Sequence, residues 1–180
     1  MINNPKVIAV FDGTEYDFLS NFYYAPIIID NERWSTSEHF YQAMKSIDER
    51  VRKEIQESET PGDAKRLGRK CVLRPGWEEL KFDVMLTVLR AKFSQHEDLR
   101  KKLLDTGDSI LVEGNKHHDN IYGVCFCKQN NCTGIGQNML GNLLMKVRTE
   151  IKNNTDESDD EIAEELETLE QISDIFSRIV

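Results

Sequence analysis

Short apolar runs and stretches of helical periodicity alternate along the chain and predict a mixed fold of helices and strands. The runs at residues 7–11 and 27–29 have the length of strands, and the polar pair Asp30-Asn31 before residues 32–34 is typical of a hairpin. From Trp77 to Gln95, apolar residues recur three and four positions apart, which is the pattern of a core helix. The other predicted elements are helices at 47–58, 60–68, 99–107 and 140–151 and strands at 109–113 and 121–126.

The composition changes after residue 154, where acidic residues dominate and apolar residues recur at helical spacing. This pattern predicts an acidic amphipathic helix over residues 161–179. Its apolar stripe could pack on its own domain, or residues 158–180 could support self-association or a partner contact. The expected fold class is therefore α+β: a compact, mostly helical single domain (residues 1–153) around a small β-sheet, with an acidic C-terminal helical extension (residues 154–180).

The net charge of −9 comes from that extension. Residues 155–180 hold ten acidic residues and one arginine, whereas the rest of the chain holds 22 acidic and 22 basic residues. A neutral body neither indicates nor excludes nucleic acid, since a local group such as Arg66, Arg69 and Lys70 could still receive a phosphate. No apolar run approaches the roughly 20 residues that span a bilayer, and no signal peptide is recognisable, so we expect a cytoplasmic protein without membrane contact.

Residues 35–45 predict a helix that could carry chemistry. Ser35 and Glu38 have the spacing of a capping box, which would start a helix here. Glu38 and Lys45 lie two helical turns apart and would share a face, with Gln42 one turn from Glu38. Two interpretations of Glu38 stay open at this point: it caps its own helix, or it serves in catalysis.

Three of the four cysteines lie within eight residues, at Cys125, Cys127 and Cys132, close to His117 and His118. Structural zinc sites usually pair their cysteines with two or four intervening residues. Here one residue separates the first two cysteines, and adjacent histidines rarely bind one metal together. We therefore expect reduced thiols, with no metal or other cofactor.

Residues 133–138 form a glycine-bearing turn before the last helix of the body. Backbone amides at such a turn can bind phosphate, but the spacing is not the G-x-G-x-x-G of dinucleotide-binding folds. A tight turn that lets the helix pack closely is an equally valid interpretation.

A series of motifs follows in order along roughly residues 7–150. The motifs are Phe18-Leu19-Ser20-Asn21-Phe22, Trp34-x-x-x-Glu38-His39-x-Tyr41-Gln42-Ala43-x-Lys45, Ala91-Lys92-Phe93-x-Gln95-His96, Leu104-x-Thr106-Gly107-Asp108, Val112-Glu113, Asp119-x-x-Tyr122-Gly123 and Gly136-x-Asn138-x-Leu140-Gly141-x-x-Leu144-Met145-x-x-Arg148. Together they resemble the NADAR (YbiA-like) N-glycosidase family, in which tryptophan is common at the position before the glycine where this chain has Tyr122.

The resemblance implies a hydrolase that cleaves the N-glycosidic bond between ribose and a base. It implies a nucleotide-like substrate, which is either ADP-ribosylated guanine, with transient nucleic-acid contact, or a phosphorylated aminopyrimidine intermediate of riboflavin biosynthesis. A module that binds ADP-ribose or a nucleotide without catalysis is the alternative from another class.

The chemistry of this bond favours two carboxylates, one to stabilise positive charge at C1′ and one to assist proton transfer. By the resemblance these are Glu38, which would stabilise positive charge at C1′ or activate water, and Asp119, which would hold a ribose hydroxyl or assist proton transfer. Lys45 would either keep Glu38 ionised or attack C1′ as an amine. The resemblance also implies a set of residues that bind the sugar, base and phosphate: Ser20, Asn21, Phe22, Trp34, Gln42, Tyr122, Gly123, Gly134, Gly136 and Asn138.

Overall fold

The computed structural model describes residues 6–129, 132 and 136–154. The chain divides into two compact units, residues 1–147 and 148–180, and the elements below belong to the first unit except for the end of the last helix. The acidic helix predicted over residues 161–179 lies outside the described residues. In the part of the chain that is described, no helix is both long enough and apolar enough to cross a membrane.

Short strands pair two by two in the described residues, where the sequence predicts one small sheet. Each strand has only two or three residues, and the left-handed backbone of Val10 (φ 67°) ends the first strand. Asp30 and Asn31 are also left-handed (φ 53° and 64°), as the tight turn of a hairpin requires. The pairs are β1 (Val7–Ala9) parallel to β4 (Ile110–Val112), β2 (Ile27–Ile29) antiparallel to β3 (Glu32–Trp34), and β5 (Gly114–Asn115) parallel to β6 (Val124–Cys125).

The helices follow the predicted pattern closely. Thr60 accepts the backbone N–H of Asp63 (3.1 Å) and Pro61 takes the first helical position, so the third helix begins where the cap signal places it. A short 3-10 turn, Asp17–Leu19, precedes the hairpin. The helices are α1 (Ser37–Ala43), α2 (Glu49–Gln56), α3 (Pro61–Gly68), α4 (Trp77–Gln95), α5 (Glu97–Asp105) and α6 (residues 139–154).

Helix α4 forms the centre of the core. It buries Met85, Val88, Leu89 and Phe93 and packs against α1, α5 and β2. Helix α1 also contacts α2 and α3, and all seven of its residues are buried. The short helix that carries Glu38 is therefore fixed by packing on several sides, and its side chains have little freedom to move.

Candidate active site

Helix α1 begins one residue later than the capping-box prediction places it. Thr36, in an extended conformation, is the N-cap, and its Oγ1 accepts the backbone N–H of His39 (3.3 Å). Glu38 is consequently the second helical residue, one short of the position from which a capping-box glutamate reaches back. The prediction of a capping box between Ser35 and Glu38 is wrong, and capping no longer explains the glutamate.

Glu38 instead forms hydrogen bonds with Asn21 and Gln42, two of the predicted substrate-binding residues. Its backbone N–H donates to the carbonyl oxygen of Asn21 (3.1 Å), and its Oε1 accepts from Gln42 Nε2 (2.7 Å). The residue is 5% exposed, and this burial raises the pKa of the carboxyl group above its usual value. The charges of Lys65 and Lys45 and the Gln42 hydrogen bond oppose the rise.

Lys45 lies just beyond α1, which ends at Ala43, so the two predicted helical turns between Glu38 and Lys45 are not formed. The backbone N–H of Lys45 donates to the carbonyl of Gln42 (3.3 Å), and its ammonium group lies 5.4 Å from the centre of the Tyr41 ring. Burial lowers the pKa of the Lys45 amine, although the charge of Glu38 opposes the shift. The chain therefore turns back at Lys45 and still brings the amine into the same cavity as the carboxylate.

A cavity of about 210 Å³ collects most of the predicted site residues. The lining comes from the chain before the hairpin, from α1 and Lys45, from α3 and Arg69, from Met85 of α4, from the chain after β4 and from Leu140 of the last helix. The lining residues are Asp12, Ser20, Asn21, Phe22, Glu38, Tyr41, Gln42, Lys45, Lys65, Arg69, Met85, Glu113, Asn115, His117, Asp119, Tyr122 and Leu140.

The segment from Ser20 to Phe22 is held in position by a hydrogen bond from Lys92 of α4. This lysine is fully buried, and its Nζ donates to the carbonyl oxygen of Ser20 (2.9 Å); burial lowers the pKa of the amine to about 7. Asn21 Nδ2 contacts Met85 Sδ (3.3 Å), whereas Asn21 Oδ1 has no hydrogen-bond partner among the described residues. A buried acceptor without a partner is costly, so this oxygen is well suited to accept a hydrogen bond from a ligand.

A second wall of the cavity, the loop wall, is formed by residues 115–122, which are linked to one another by hydrogen bonds from their own polar side chains. Asn115 Nδ2 donates to the carbonyl of Asp119 (2.7 Å), and Asn115 Oδ1 accepts the backbone N–H groups of His117 and Asp119 (both 3.2 Å). The Asp119 carboxylate accepts the N–H groups of Ile121 (3.1 Å) and Tyr122 (2.9 Å). These bonds explain why β6 is shorter than the strand predicted at 121–126.

Tyr122 joins this loop to α1. Its hydroxyl group lies 2.8 Å from that of Tyr41, and the two rings meet edge to face. Burial is the main cause that raises the pKa of both phenols, that of Tyr122 to about 12, so both hydroxyls are neutral hydrogen-bonding groups near neutral pH.

Glu113 lines the cavity and was not among the predicted site residues. Burial and the neighbouring charges of Asp12 and Asp119 raise the pKa of its carboxyl group to about 7. The sequence offers a weak signal, the pair Val112-Glu113 at the end of a predicted strand, which does not reveal the cavity. Sequence reasoning also missed the cavity positions of Asp12, Lys65 and His117.

The basic residues of α3 divide between the cavity and the surface. Lys65 and Arg69 line the cavity, and the Lys65 ammonium lies 5.4 Å from the centre of the Phe22 ring. Arg66 instead pairs with Asp63 of the same helix (2.9 Å). Of the three bases that the sequence groups together (Arg66, Arg69 and Lys70), Arg69 therefore lines the cavity.

Five of the predicted residues are not among those that line the cavity. Trp34 is 1% exposed and packs edge to face on Phe40. Gly123 and Gly136 lie backbone against backbone, so close that a Cβ on Gly136 would collide with the Gly123 carbonyl. Asn138 binds the end of β4, since it accepts from the Glu113 N–H (3.0 Å) and donates to the Leu111 carbonyl (2.8 Å). Gly134 lies outside the described residues.

Comparison with known proteins identifies the family that this chain resembles. A family model for the NADAR domain matches residues 10–152. N-glycosidase YbiA of Escherichia coli (strain K12) is 42% identical over 139 residues, which are 76% of this chain and 82% of that protein. The NMR structure of E. coli YbiA has a TM-score of 0.74 at 38% identity, and the match covers 83% of this chain and 87% of that one. A riboflavin biosynthesis protein of Vibrio vulnificus (strain YJ016) is 36% identical over 139 residues, which are 76% of this chain and 36% of that protein.

This α+β fold carries a cavity lined by buried ionisable side chains with shifted pKa values, which is typical of an enzyme's active site. With the family match over most of its length, the chain belongs to the NADAR domain family. It is an N-glycosidase, and the sequence-based prediction of the family is confirmed.

Proposed function

We propose that this enzyme hydrolyses the bond between C1′ of a ribose and a nitrogen of guanine, and so removes ADP-ribose from modified guanine. The supporting observation is the buried carboxylate of Glu38 in a cavity that also holds the amine of Lys45, three further acidic groups and two bases, one on α3 and one directly after it. The net reaction adds water across the bond: hydroxide goes to C1′, and a proton goes to the departing nitrogen.

Glu38 acts at C1′ in this proposal. Cleavage passes through a state with positive charge on the sugar, which an adjacent carboxylate stabilises most strongly in a site that excludes bulk water. Lys65 and Lys45 both favour the ionised form of Glu38, against the effect of burial. The same carboxylate can take the proton of the attacking water as the bond to the base breaks.

Glu113 serves the departing base in this proposal, and Asp119 serves the sugar. A group whose pKa lies near the working pH is the best proton donor, and the pKa of Glu113 is raised to about 7. Asp119 is fixed by two backbone N–H groups, which makes it a steady acceptor for a ribose hydroxyl. We assign the proton donation to Glu113 and the sugar contact to Asp119.

Lys45 has two alternative roles in this proposal, which require different protonation states of its amine. As an ammonium it keeps Glu38 ionised, and as a neutral amine it can attack C1′ of a ring-opened ribose. The burial that lowers its pKa increases the neutral fraction, which supports the second role. On that route the amine adds to C1′, the bond from C1′ to the base breaks, and the base leaves with a proton, so that an imine joins Lys45 to C1′. Water then hydrolyses the imine, which releases the sugar and restores the amine.

Lys65 and Arg69 are the phosphate contacts in this proposal. Gly136, which the sequence analysis considered for phosphate, packs against the backbone of Gly123, whereas the two α3 side chains line the cavity itself. Two cationic groups match the two phosphates of ADP-ribose. Phe22, with Lys65 against its ring, offers an aromatic surface for a base.

A phosphorylated aminopyrimidine intermediate of riboflavin biosynthesis is the second candidate substrate. The similarity to a riboflavin biosynthesis protein of Vibrio vulnificus favours it, because that relative is 36% identical over 139 residues, which are 76% of this chain. Such a substrate carries one phosphate, so it would need only one of the two α3 bases.

One experiment tests both candidates. The protein is incubated separately with ADP-ribosylated guanosine and with the phosphorylated aminopyrimidine, and mass spectrometry follows the released base with and without borohydride. We expect guanosine and ADP-ribose from the first substrate. Release of base from the second substrate alone would make the phosphorylated aminopyrimidine the substrate class. A borohydride-stabilised adduct on Lys45 would establish the amine route, and its absence during full turnover would leave Lys45 as the charge partner of Glu38.

A further inference from the structure

We propose that His118, Cys125, Cys127 and Cys132 form a zinc site that fixes the wall of the cavity carrying Asp119. One ligand atom from each of these four side chains lies within 4.8 Å of each of the others. A cluster of three thiols and one imidazole is a ligand set of structural zinc. The inference does not depend on the substrate of the enzyme.

The fold itself brings the four side chains together. β5 and β6 pair in parallel with Asn115 opposite Cys125, which closes the chain between them into a loop. Asn120 then links two of the cysteines, since its Oδ1 accepts the backbone N–H of Cys125 (3.2 Å) and its Nδ2 lies 3.5 Å from Cys132 Sγ. Backbone pairing and a side-chain amide thus bring together four residues whose spacing along the sequence differs from that of standard structural zinc sites.

The imidazole completes the cluster from the other end of the loop. His118 Nδ1 lies 3.5 Å from Cys127 Sγ, and the backbone of His118 is left-handed (φ 66°), which turns it away from the path of an extended chain. Its neighbour His117 lines the cavity instead. Adjacent histidines are thereby divided between the cavity and the thiol cluster.

The dimensions suit zinc. With Zn–S bonds of about 2.3 Å, a tetrahedral ion holds its sulfur ligands about 3.8 Å apart. A contraction of about 1 Å at most would bring the widest pair of ligand atoms to that separation. Thiolates favour zinc over magnesium, calcium or manganese, and four protein ligands leave no open position for catalysis, so the ion would be structural.

The expected consequence is a link between metal binding and the active site. His118 and Cys125 bracket the segment that contains Asp119 and Tyr122, both of which line the cavity. Because metal binding stabilises the state in which its ligands are assembled, zinc would hold this segment in place. The spacing of the cysteines along the chain predicts reduced thiols without metal, because that spacing does not contain the β5–β6 pairing.

The primary test measures metal in the whole, unmodified chain. The protein is produced in zinc-supplemented medium, desalted, and analysed by plasma mass spectrometry; we expect about one zinc per chain. The apoprotein is then titrated with Co²⁺. We expect the strong visible bands of tetrahedral cobalt, sulfur-to-cobalt charge transfer in the near ultraviolet, and saturation at one equivalent.

Variants locate the site. Cys127→Ser and Cys132→Ser should each lose most of the bound zinc and the cobalt charge-transfer band, whereas Cys71→Ser should keep both. Cys71 is the matched control, because it is the one cysteine outside the cluster and its Sγ donates to the Gly68 carbonyl (3.3 Å). Circular dichroism on each variant verifies that loss of metal is not loss of fold.

Three results would overturn the proposal. They are a metal-free protein that gives no sulfur-to-cobalt band, octahedral cobalt without thiolate coordination, or zinc that persists undiminished in Cys127→Ser and Cys132→Ser. If a variant fails to fold, the cobalt spectrum of the wild-type protein decides by itself.

Discussion

Glu38 and Asp119 line the same cavity from two regions that are held in place by different forces. Glu38 stands on α1, whose seven residues are all buried and whose neighbours are α2, α3 and α4. Asp119 stands on a loop with little regular structure, where Asn115 supplies three hydrogen bonds and Asp119 accepts two. Packing fixes one carboxylate, and side-chain to backbone hydrogen bonds fix the other.

This difference predicts how each wall responds to change. Tight packing resists small shifts, so α1 should keep Glu38 in place when a neighbouring polar contact is lost. A loop held by a few hydrogen bonds has a smaller free energy of opening, so single substitutions there should displace the catalytic groups. Effects on chemistry should therefore be largest at Glu38 itself, and effects on loop order should be largest at Asn115.

Glu38→Gln should give the largest loss of activity. Glutamine keeps the size and the helix propensity but cannot stabilise positive charge at C1′, so we expect turnover to fall by about 1,000-fold or more with the fold retained. Release of the base from the substrate is measured by mass spectrometry, and stability is measured by thermal unfolding. The control variant is Glu54→Gln, which changes an exposed glutamate on α2. Turnover close to that of the control would remove Glu38 from the mechanism.

Glu113→Gln should give the next largest loss and a characteristic pH dependence. Because the pKa of Glu113 is raised to about 7, its protonated fraction falls as the pH rises through 7, and wild-type activity should fall with it. Glutamine cannot donate the proton, so we expect about a 100-fold loss at pH 6 and no alkaline decline attributable to this group.

Stability provides an independent measurement on the same variant. A carboxyl group with a raised pKa in the folded state favours folding below its ordinary pKa of 4.5 and loses that contribution as the pH rises through about 7. The free energy of unfolding of Glu113→Gln should therefore depend less on pH between about 4.5 and 7 than that of the wild type. An unchanged pH–rate profile would assign the proton transfer to another group.

The α1 wall and the loop wall also differ in how many of their structural features the sequence predicts. Helix α4, the hairpin and the start of α3 follow from apolar spacing and cap residues, since these signals are local. Glu38 and Lys45 were predicted on one helical face; the helix ends at Ala43, yet both reach the cavity because the chain turns back.

The loop wall depends on contacts that local patterns do not contain. Glu113 looks like the last residue of a strand, and only the fold places it beside Asp12 and Asp119. The cysteines have an unusual spacing, and only the pairing of β5 with β6 brings them to His118. Tertiary contacts determine both features.

Asn115→Ala should disturb the loop wall with a moderate effect on rate. It removes three buried hydrogen bonds, so we expect about 2 kcal/mol of destabilisation and about a tenfold drop in turnover from misplaced Asp119 and Tyr122. Asn115→Asp retains the acceptor for two backbone N–H groups and should recover part of both losses. Amide hydrogen exchange should increase at residues 117–122 and stay unchanged in α1; equal protection in both regions would contradict the comparison.

Gly68→Ala should give the smallest change in rate, because it acts on Glu38 only through Gln42. A Cβ at Gly68 would collide with the Gln42 side chain, so we expect about 1 to 3 kcal/mol of destabilisation, while Gly62→Ala on the same helix meets only Thr60 Oγ1 at 3.6 Å and should be neutral. The Gln42 hydrogen bond lowers the pKa of Glu38, so its loss should move the acid limb of the pH–rate profile to higher pH. The double variant Gly68→Ala/Gln42→Ser removes Oε1 and Cδ of residue 42 from the collision but keeps its Cβ, 2.9 Å from the new methyl group, and does not restore the hydrogen bond to Glu38. Its stability should therefore recover in part while the shifted limb remains.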